Sequence, residues 1–279
     1  RLYEGRLPGP TLECRPGDEV KLLIQNDLGP NVAALDGASA MDTMHDANTT
    51  NLHLHGVFAD AAHDDTFAAI APGHTALYEY TIHPATGSSL LFYHPHYEGS
   101  SGLQLNGGMA GAFVIADPAH ETLFVGAVMT RTLLIQSYNF DPAHTDFILT
   151  EEGNMGTSTM LPRLFNPSGF RGLLVLLNGA AAPRESLSVH AYVRVRLVNA
   201  MGGSMSSIQL GWTYDGARAC SLHVLALDGV WLRAPRQQAS VAVPSGGRVE
   251  MALSCSVTGS FTLSSLSSGL GGTIPEGHA

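Results

Sequence analysis

Residues 20–26 (VKLLIQN) return 173 positions later as residues 193–199 (VRVRLVN). Two further segments keep almost the same offset. His55-Gly56-Val57 falls on Asp228-Gly229-Val230 at 173, and Ala71-Pro72 falls on Val243-Pro244 at 172. A unit that recurs at a fixed offset is one fold built twice. The recurring segments read as strands. VRVRLVN alternates apolar and basic residues, and residues 76–83, 222–227, 239–243 and 248–254 are similar runs separated by Gly and Pro. Side chains alternate faces along a strand, so such runs suit half-exposed sheets. Short strands at this spacing predict an all-β chain of two tandem Greek-key β-sandwiches. The first is expected at 1–120 and the second at 121–265, joined at Asp117-Pro118. Residues 266–279 are expected to be a Gly/Ser-rich linker.

Composition supports packed domains. Of 279 residues, 44% are hydrophobic and only 14% charged, enough for two cores and unlike a disordered chain. The net charge of −10 comes without a Lys/Arg cluster, which argues against a nucleic-acid partner. The longest apolar runs, residues 173–177 among them, fall far short of the roughly 20 residues that span a bilayer. The chain begins at Arg1 with neither Met nor an apolar leader, so it reads as a processed or truncated product. Cys220 and Cys255 lie on expected strands of the second copy, and a disulfide between them is one open pairing that would leave Cys14 over.

Histidine is the unusual residue: 13, against 14 Lys plus Arg. Two pairs stand out, His53-Leu54-His55-Gly56 and His94-Pro95-His96. Residues i and i+2 of a strand share a face, so each pair sets two imidazoles side by side. Imidazole suits Cu, Zn, Fe and Ni. The second copy is an internal control. Ala226 and Asp228 stand at the places of His53 and His55, and Leu266 and Ser268 near those of His94 and His96. The sandwich is built without these histidines, so a metal role explains them better than the fold does.

The strings Thr50-Asn51-Leu52-His53-Leu54-His55-Gly56 and Phe92-Tyr93-His94-Pro95-His96-Tyr97-Glu98-Gly99-Ser100, the latter continuing through Leu103-Gln104 to Gly108-Met109-Ala110-Gly111, resemble the first two copper motifs of multicopper oxidases, laccases among them. Gly9-Pro10-Thr11-Leu12, Pro16-Gly17-Asp18 and residues 222–230 (LHVLALDGV) extend the resemblance over nearly the whole chain. It implies two cupredoxin domains. It also implies that His53 serves a type 2 copper and that His55, His94 and His96 serve a type 3 pair. The family's remaining ligands, with the type 1 copper that takes electrons from a reducing substrate, belong to a third, C-terminal cupredoxin domain. No His-Cys-His occurs in this chain. The implied reaction couples one-electron substrate oxidation to four-electron reduction of dioxygen to water. This chain would supply half of that cluster, would be inactive alone, and would work in a secreted or otherwise extracytoplasmic setting.

Several residues keep two readings. Asp64 and Asp65 follow the first motif. Relatives hold a proton-relaying carboxylate near the type 2 copper, a role expected of Asp65, with an acidic turn as the alternative. Glu98 stands where many relatives have a further His, and either accepts a ligand's N–H or faces solvent. Met41, Met44 and His45 are soft-to-borderline donors in a loop that otherwise reads as polar surface. His223 is expected to be a buried, hydrogen-bonded core residue. Rival functions are a non-catalytic copper-binding sandwich pair and a mononuclear Zn or Cu hydrolase. The hydrolase is disfavoured because neither motif contains a poised Glu base.

Overall fold

The computed structural model describes residues 1–31, 45–117, 127–139, 173–181, 183–184, 186, 188–202 and 207–266. Met41, Met44, His120, His144, His278, the 162–171 segment and the expected linker beyond Leu266 lie outside them. In chain order the first half has strands β1 (Leu12–Cys14), β2 (Glu19–Gln25), β3 (His53–His55), β4 (Thr75–Thr81), β5 (Ser89–His94) and β6 (Gly111–Ile115), with helix α1 (Ser101–Asn106) before β6. The second half has β7 (Ala127–Asn139), β8 (Leu173–Leu177), β9 (Tyr192–Asn199), β10 (Ile208–Trp212), helix α2 (Tyr214–Ala219), β11 (Cys220–Leu227), β12 (Val230–Gln238), β13 (Ser240–Val243), β14 (Arg248–Cys255) and β15 (Leu263–Leu266).

Two sandwiches result. In the first, sheet β1-β6-β5-β3 packs on the antiparallel pair β2-β4, with Leu54, Tyr78, Tyr80, Leu91, Tyr93 and Phe113 between them. In the second, the six-stranded sheet β12-β11-β14-β9-β7-β8 packs on β13-β10-β15 over Val195, Leu197, Ile208, Val224 and Met251. Burial follows strand position. β2 alternates between exposed and half-buried residues, as a strand with one face in water must. β5 and β6 are almost wholly buried. Leu91 and Tyr93 of β5 enter the first core, while Leu90 and Phe92 on its other face join Val114, Leu134, Val198 and Ala200 in an apolar layer between the sandwiches. β5 is therefore sandwiched on both sides, and its second face is what the second sandwich covers.

The internal repeat holds at the level of single hydrogen bonds. Asn26 follows β2 and Asn199 ends β9; both are fully buried. Asn26 Nδ2 donates to the Ile70 carbonyl at 2.7 Å, and Asn199 Nδ2 to the Val243 carbonyl at 3.0 Å. Their Oδ1 atoms accept the N–H of Leu28 at 3.0 Å and of Met201 at 3.2 Å. Their carbonyls accept the N–H of Gly73 and Gly246, both at positive φ. These partners all stand 173 apart. The 172 offset read from Ala71-Pro72 and Val243-Pro244 is thereby corrected: the proline moves by one place within an otherwise equivalent turn.

Cys220 and Cys255, paired across β11 and β14, form a disulfide, and Cys14 is a buried free thiol. His223 departs from expectation. It is half-buried, and its Nδ1 is buried with no hydrogen-bond partner among the described residues. No helix of the described residues is long and apolar enough to cross a membrane.

Removing either asparagine side chain strands buried backbone groups, each worth about 1–3 kcal/mol when unsatisfied. Asn26→Ala and Asn199→Ala are each expected to lower unfolding free energy by about 2–4 kcal/mol in urea titrations. A loss within about 0.5 kcal/mol, the ordinary surface value, would show that these brackets do not hold the strands.

Candidate metal centre

Strand parity builds the centre. Leu52 and Leu54 point into the first core, at 1% and 0% exposure, so His53 and His55 point away from it. β3 pairs antiparallel with β5, placing His53 directly opposite His94 and His55 opposite Phe92. Along β5 the face carrying Leu90 and Phe92 continues to His94. The ridge that packs against the second sandwich thus ends in an imidazole. Pro95 follows, and the His96 N–H donates to Asn51 Oδ1 at 2.6 Å.

The four rings meet. Centroid separations are 5.8 Å for His53–His55, 5.2 Å for His53–His94, 5.1 Å for His53–His96, 5.6 Å for His55–His94 and 5.9 Å for His94–His96. His53, His55 and His94 each offer a nitrogen within 4.8 Å of the others. His96 stands beside them, more exposed and outside that triad. Phe92 stacks on both His55, at 4.6 Å, and His94, at 5.0 Å.

Hydrogen bonds set which nitrogens remain free. His53 Nδ1 lies 2.7 Å from Asp64 Oδ2, and His94 Nδ1 lies 2.9 Å from the Pro95 carbonyl. A carboxylate and a carbonyl only accept, so both Nδ1 atoms carry a proton, and in the neutral ring the lone pair is then on Nε2. His55 Nδ1 is 3.3 Å from His94 Nε2. Two imidazole nitrogens bound tetrahedrally to one ion at roughly 2.0–2.1 Å would be about 3.3 Å apart. The pair therefore has the spacing of two ligands on one ion, and the donor set fits a metal that prefers imidazole.

Electrostatics keep His55 and His94 neutral. Burial pushes His94 down to about 3, with the neighbouring imidazoles adding to it against the Pro95 hydrogen bond. Burial, then the Arg248 guanidinium, pushes His55 down to about 4. For Asp64, burial raises the pKa, but the bonds from His53, the Leu54 N–H and the Tyr80 hydroxyl outweigh it and hold the carboxylate below its ordinary range. Asp64 is thus an anchored anion that aims His53.

Asp65 does not touch the histidines. It is exposed, and its Oδ1 accepts the Phe67 N–H at 2.9 Å in a turn. Glu98 is exposed. His45 packs on Gly99 and bonds Asp46, apart from the four rings. Three residues that sequence reasoning did not single out border the site. Phe92 was visible only as part of a motif. Gly246 and Arg248 reach His55 and Gly56 from the second sandwich, nearly 200 positions away, with no local signal.

Comparison with known proteins agrees with this geometry. A family model described as multicopper oxidase matches residues 42–120. The cell division protein FtsP of Salmonella typhimurium is 26% identical over 252 residues, covering 88% of this chain and 45% of FtsP. The multicopper oxidase mco of Staphylococcus haemolyticus is 22% identical over 255 residues, covering 91% of this chain and 48% of mco. The solved structure of a laccase-like multi-copper oxidase, CueO, from the lignin-degrading bacterium Ochrobactrum sp. superposes with a TM-score of 0.70 at 22% identity, covering 96% of this chain and 53% of that one. The sandwiches are cupredoxin-like. Residues 42–120 thus match the multicopper oxidase model, and the chain as a whole is similar in sequence and fold to multicopper oxidases. It spans about half the length of the curated relatives it matches.

The depressed histidine values give the metal-free protein a pH dependence. Unfolded, His55 and His94 bind protons below about 6.5; folded, they resist until about 4 and about 3. The unfolded state then holds more protons, so stability falls as pH drops from about 6.5 toward 4, and these groups contribute nothing above about pH 7.5. The urea midpoint of metal-free protein should decline between pH 7 and pH 5, and less so in His55→Gln. A midpoint that rises on acidification would contradict neutral rings.

Proposed function

We propose that this chain supplies half of the trinuclear copper site of an oxidase that couples one-electron oxidation of a reducing substrate to four-electron reduction of dioxygen to water. The observation that carries this is the convergence of His53, His55 and His94, with nitrogens within 4.8 Å and the opposite nitrogens of His53 and His94 already committed. His53 takes the type 2 position; His55, His94 and His96 take the type 3 positions, His55 and His94 sharing one ion. Copper, when bound, supplies the one-electron chemistry. The chain's own residues hold His55 and His94 unprotonated, fix the His53 ring through Asp64, and wall the site with Phe92. Asp64 is tied by three donors, so proton exchange with water falls to Asp65 on the exposed side of the same turn.

The proposed domains are residues 1–120, bearing the ligands, and 121–265, with 266–279 leading toward a third cupredoxin domain that holds type 1 copper and the remaining ligands. The reducing substrate would dock there. The Cys220–Cys255 disulfide favours an oxidising, extracytoplasmic setting. A second reading, a copper-binding pair without oxidase activity, draws on the likeness to a protein named for cell division.

Purified chain is expected to bind copper(II) with loss of that binding in His55→Ala and His94→Ala, and to consume no oxygen by itself. Joined to a domain carrying type 1 copper, it should consume oxygen with phenols or reducing metal ions. No consumption with every copper position filled would favour the second reading. Asp64→Asn should weaken copper binding about 10–100-fold, as loss of a ligand's hydrogen-bond partner does. Asp65→Asn should leave affinity unchanged and slow oxygen consumption by the complete oxidase, more at high pH. Equal affinity losses in both variants would remove the distinction drawn between them.

A further inference from the structure

Among the described residues the second sandwich contributes no histidine to the centre, yet it touches it. Gly246, in the turn before β14, faces the His55 ring: a Cβ there would lie 3.1 Å from His55 Cε1 and 3.5 Å from Nε2. Arg248, the first residue of β14, lies against the next residue of the motif. A Cβ on Gly56 would meet Arg248 Nη2 at 2.5 Å and Cζ at 3.3 Å, and Gly56 sits at φ +94°. Glycine at 56 is thus required twice, by backbone conformation and by a guanidinium from the other sandwich.

Arg248 is held firmly. It is 7% exposed. Nη1 donates to the Gly246 carbonyl at 3.0 Å, Nη2 to the Asp228 carbonyl at 3.1 Å, and Nε to the Leu90 carbonyl of β5 at 3.4 Å. One side chain therefore ties the turn that covers His55 to the strand that carries Phe92 and His94. Its countercharge is lopsided. Asp228 Oδ1, 3.5 Å from Nη1, belongs to a side chain 59% exposed, so water screens the anion while the cation stays buried beside the ligand. At the place of the ligand His55, the internal repeat puts Asp228, so the two equivalent turns meet at this one guanidinium.

We infer that Arg248 is a positioning residue of the metal centre: it fixes the His55-Gly56 turn across the sandwich junction, and its buried charge favours copper(I) over copper(II) at the ion held by His55 and His94. The inference rests on the copper reading above. A fixed positive charge destabilises the more highly charged ion more, which raises the reduction potential without adding a ligand. A residue that merely glued the sandwiches would not discriminate between oxidation states.

Copper(I) and copper(II) are titrated separately into the wild-type chain, Arg248→Gln, Arg248→Lys and Asp228→Asn against competing chelators, with His55→Ala as the reference for ligand loss and circular dichroism as the check on folding. The ratio of copper(I) to copper(II) affinity is expected to fall about tenfold in Arg248→Gln, for a unit charge removed from partly buried surroundings. Asp228→Asn, which keeps the Oδ1 acceptor for the Arg248 N–H, is expected to raise it several-fold and tests the charge even if Arg248→Gln does not fold. Arg248→Lys should keep the ratio within about threefold while weakening both affinities, because an ammonium lacks the planar fork that reaches three carbonyls. Ratios unmoved, or moved in one direction by both charge changes, would overturn the inference while leaving copper binding intact. No copper bound by the wild type would overturn both.

Discussion

The pairing of β3 with β5 is the constraint from which the rest follows. It sets His53 opposite His94, and strand parity then decides every other direction. Leu52 and Leu54 go into the first core; His53 and His55 go out. Leu91 and Tyr93 go into the same core, while Leu90, Phe92 and His94 go out on the same side as the histidines. A register slip of one residue would bury the imidazoles and expose the leucines, so the hydrophobic core itself guards the geometry of the centre.

Packing then converts a strand face into a chemical site. Leu90 and Phe92 belong to the apolar layer between the sandwiches, and the imidazoles stand where that layer ends. Burial there keeps His55 and His94 unprotonated, which is the state a metal ligand needs. Polar partners settle orientation: Asp64 holds His53, the Pro95 carbonyl holds His94, and Asn51 holds the backbone at His96. The second sandwich closes the arrangement through Gly246 and Arg248. The second sandwich is thereby part of the wall.

Much of this was legible in the sequence. Two His-x-His pairs on short strands announce shared faces, and the repeat supplied its own control, since Ala226 and Asp228 show the same sandwich without the histidines. Asn26 and Asn199 close the strand units they announce as the ends of the repeated strings. What stayed hidden is non-local or differs by one position. Asp64 and Asp65 are adjacent carboxylates, and only the turn's path shows that the first meets His53 while the second meets the Phe67 N–H. Arg248 lies far along the chain from Gly56, and no periodicity links them. The exact place of Pro72 against Pro244 misled by one residue because proline marks a turn without fixing its position in it.

The central claim is that imidazoles from β3 and β5 hold copper together. X-ray absorption at the copper edge of the loaded chain tests it most directly. The predicted result is a first shell of nitrogen at about 2.0 Å with the multiple-scattering pattern of imidazole rings. A shell containing sulfur at about 2.3 Å, or light atoms with no imidazole pattern, would place the metal elsewhere and contradict it.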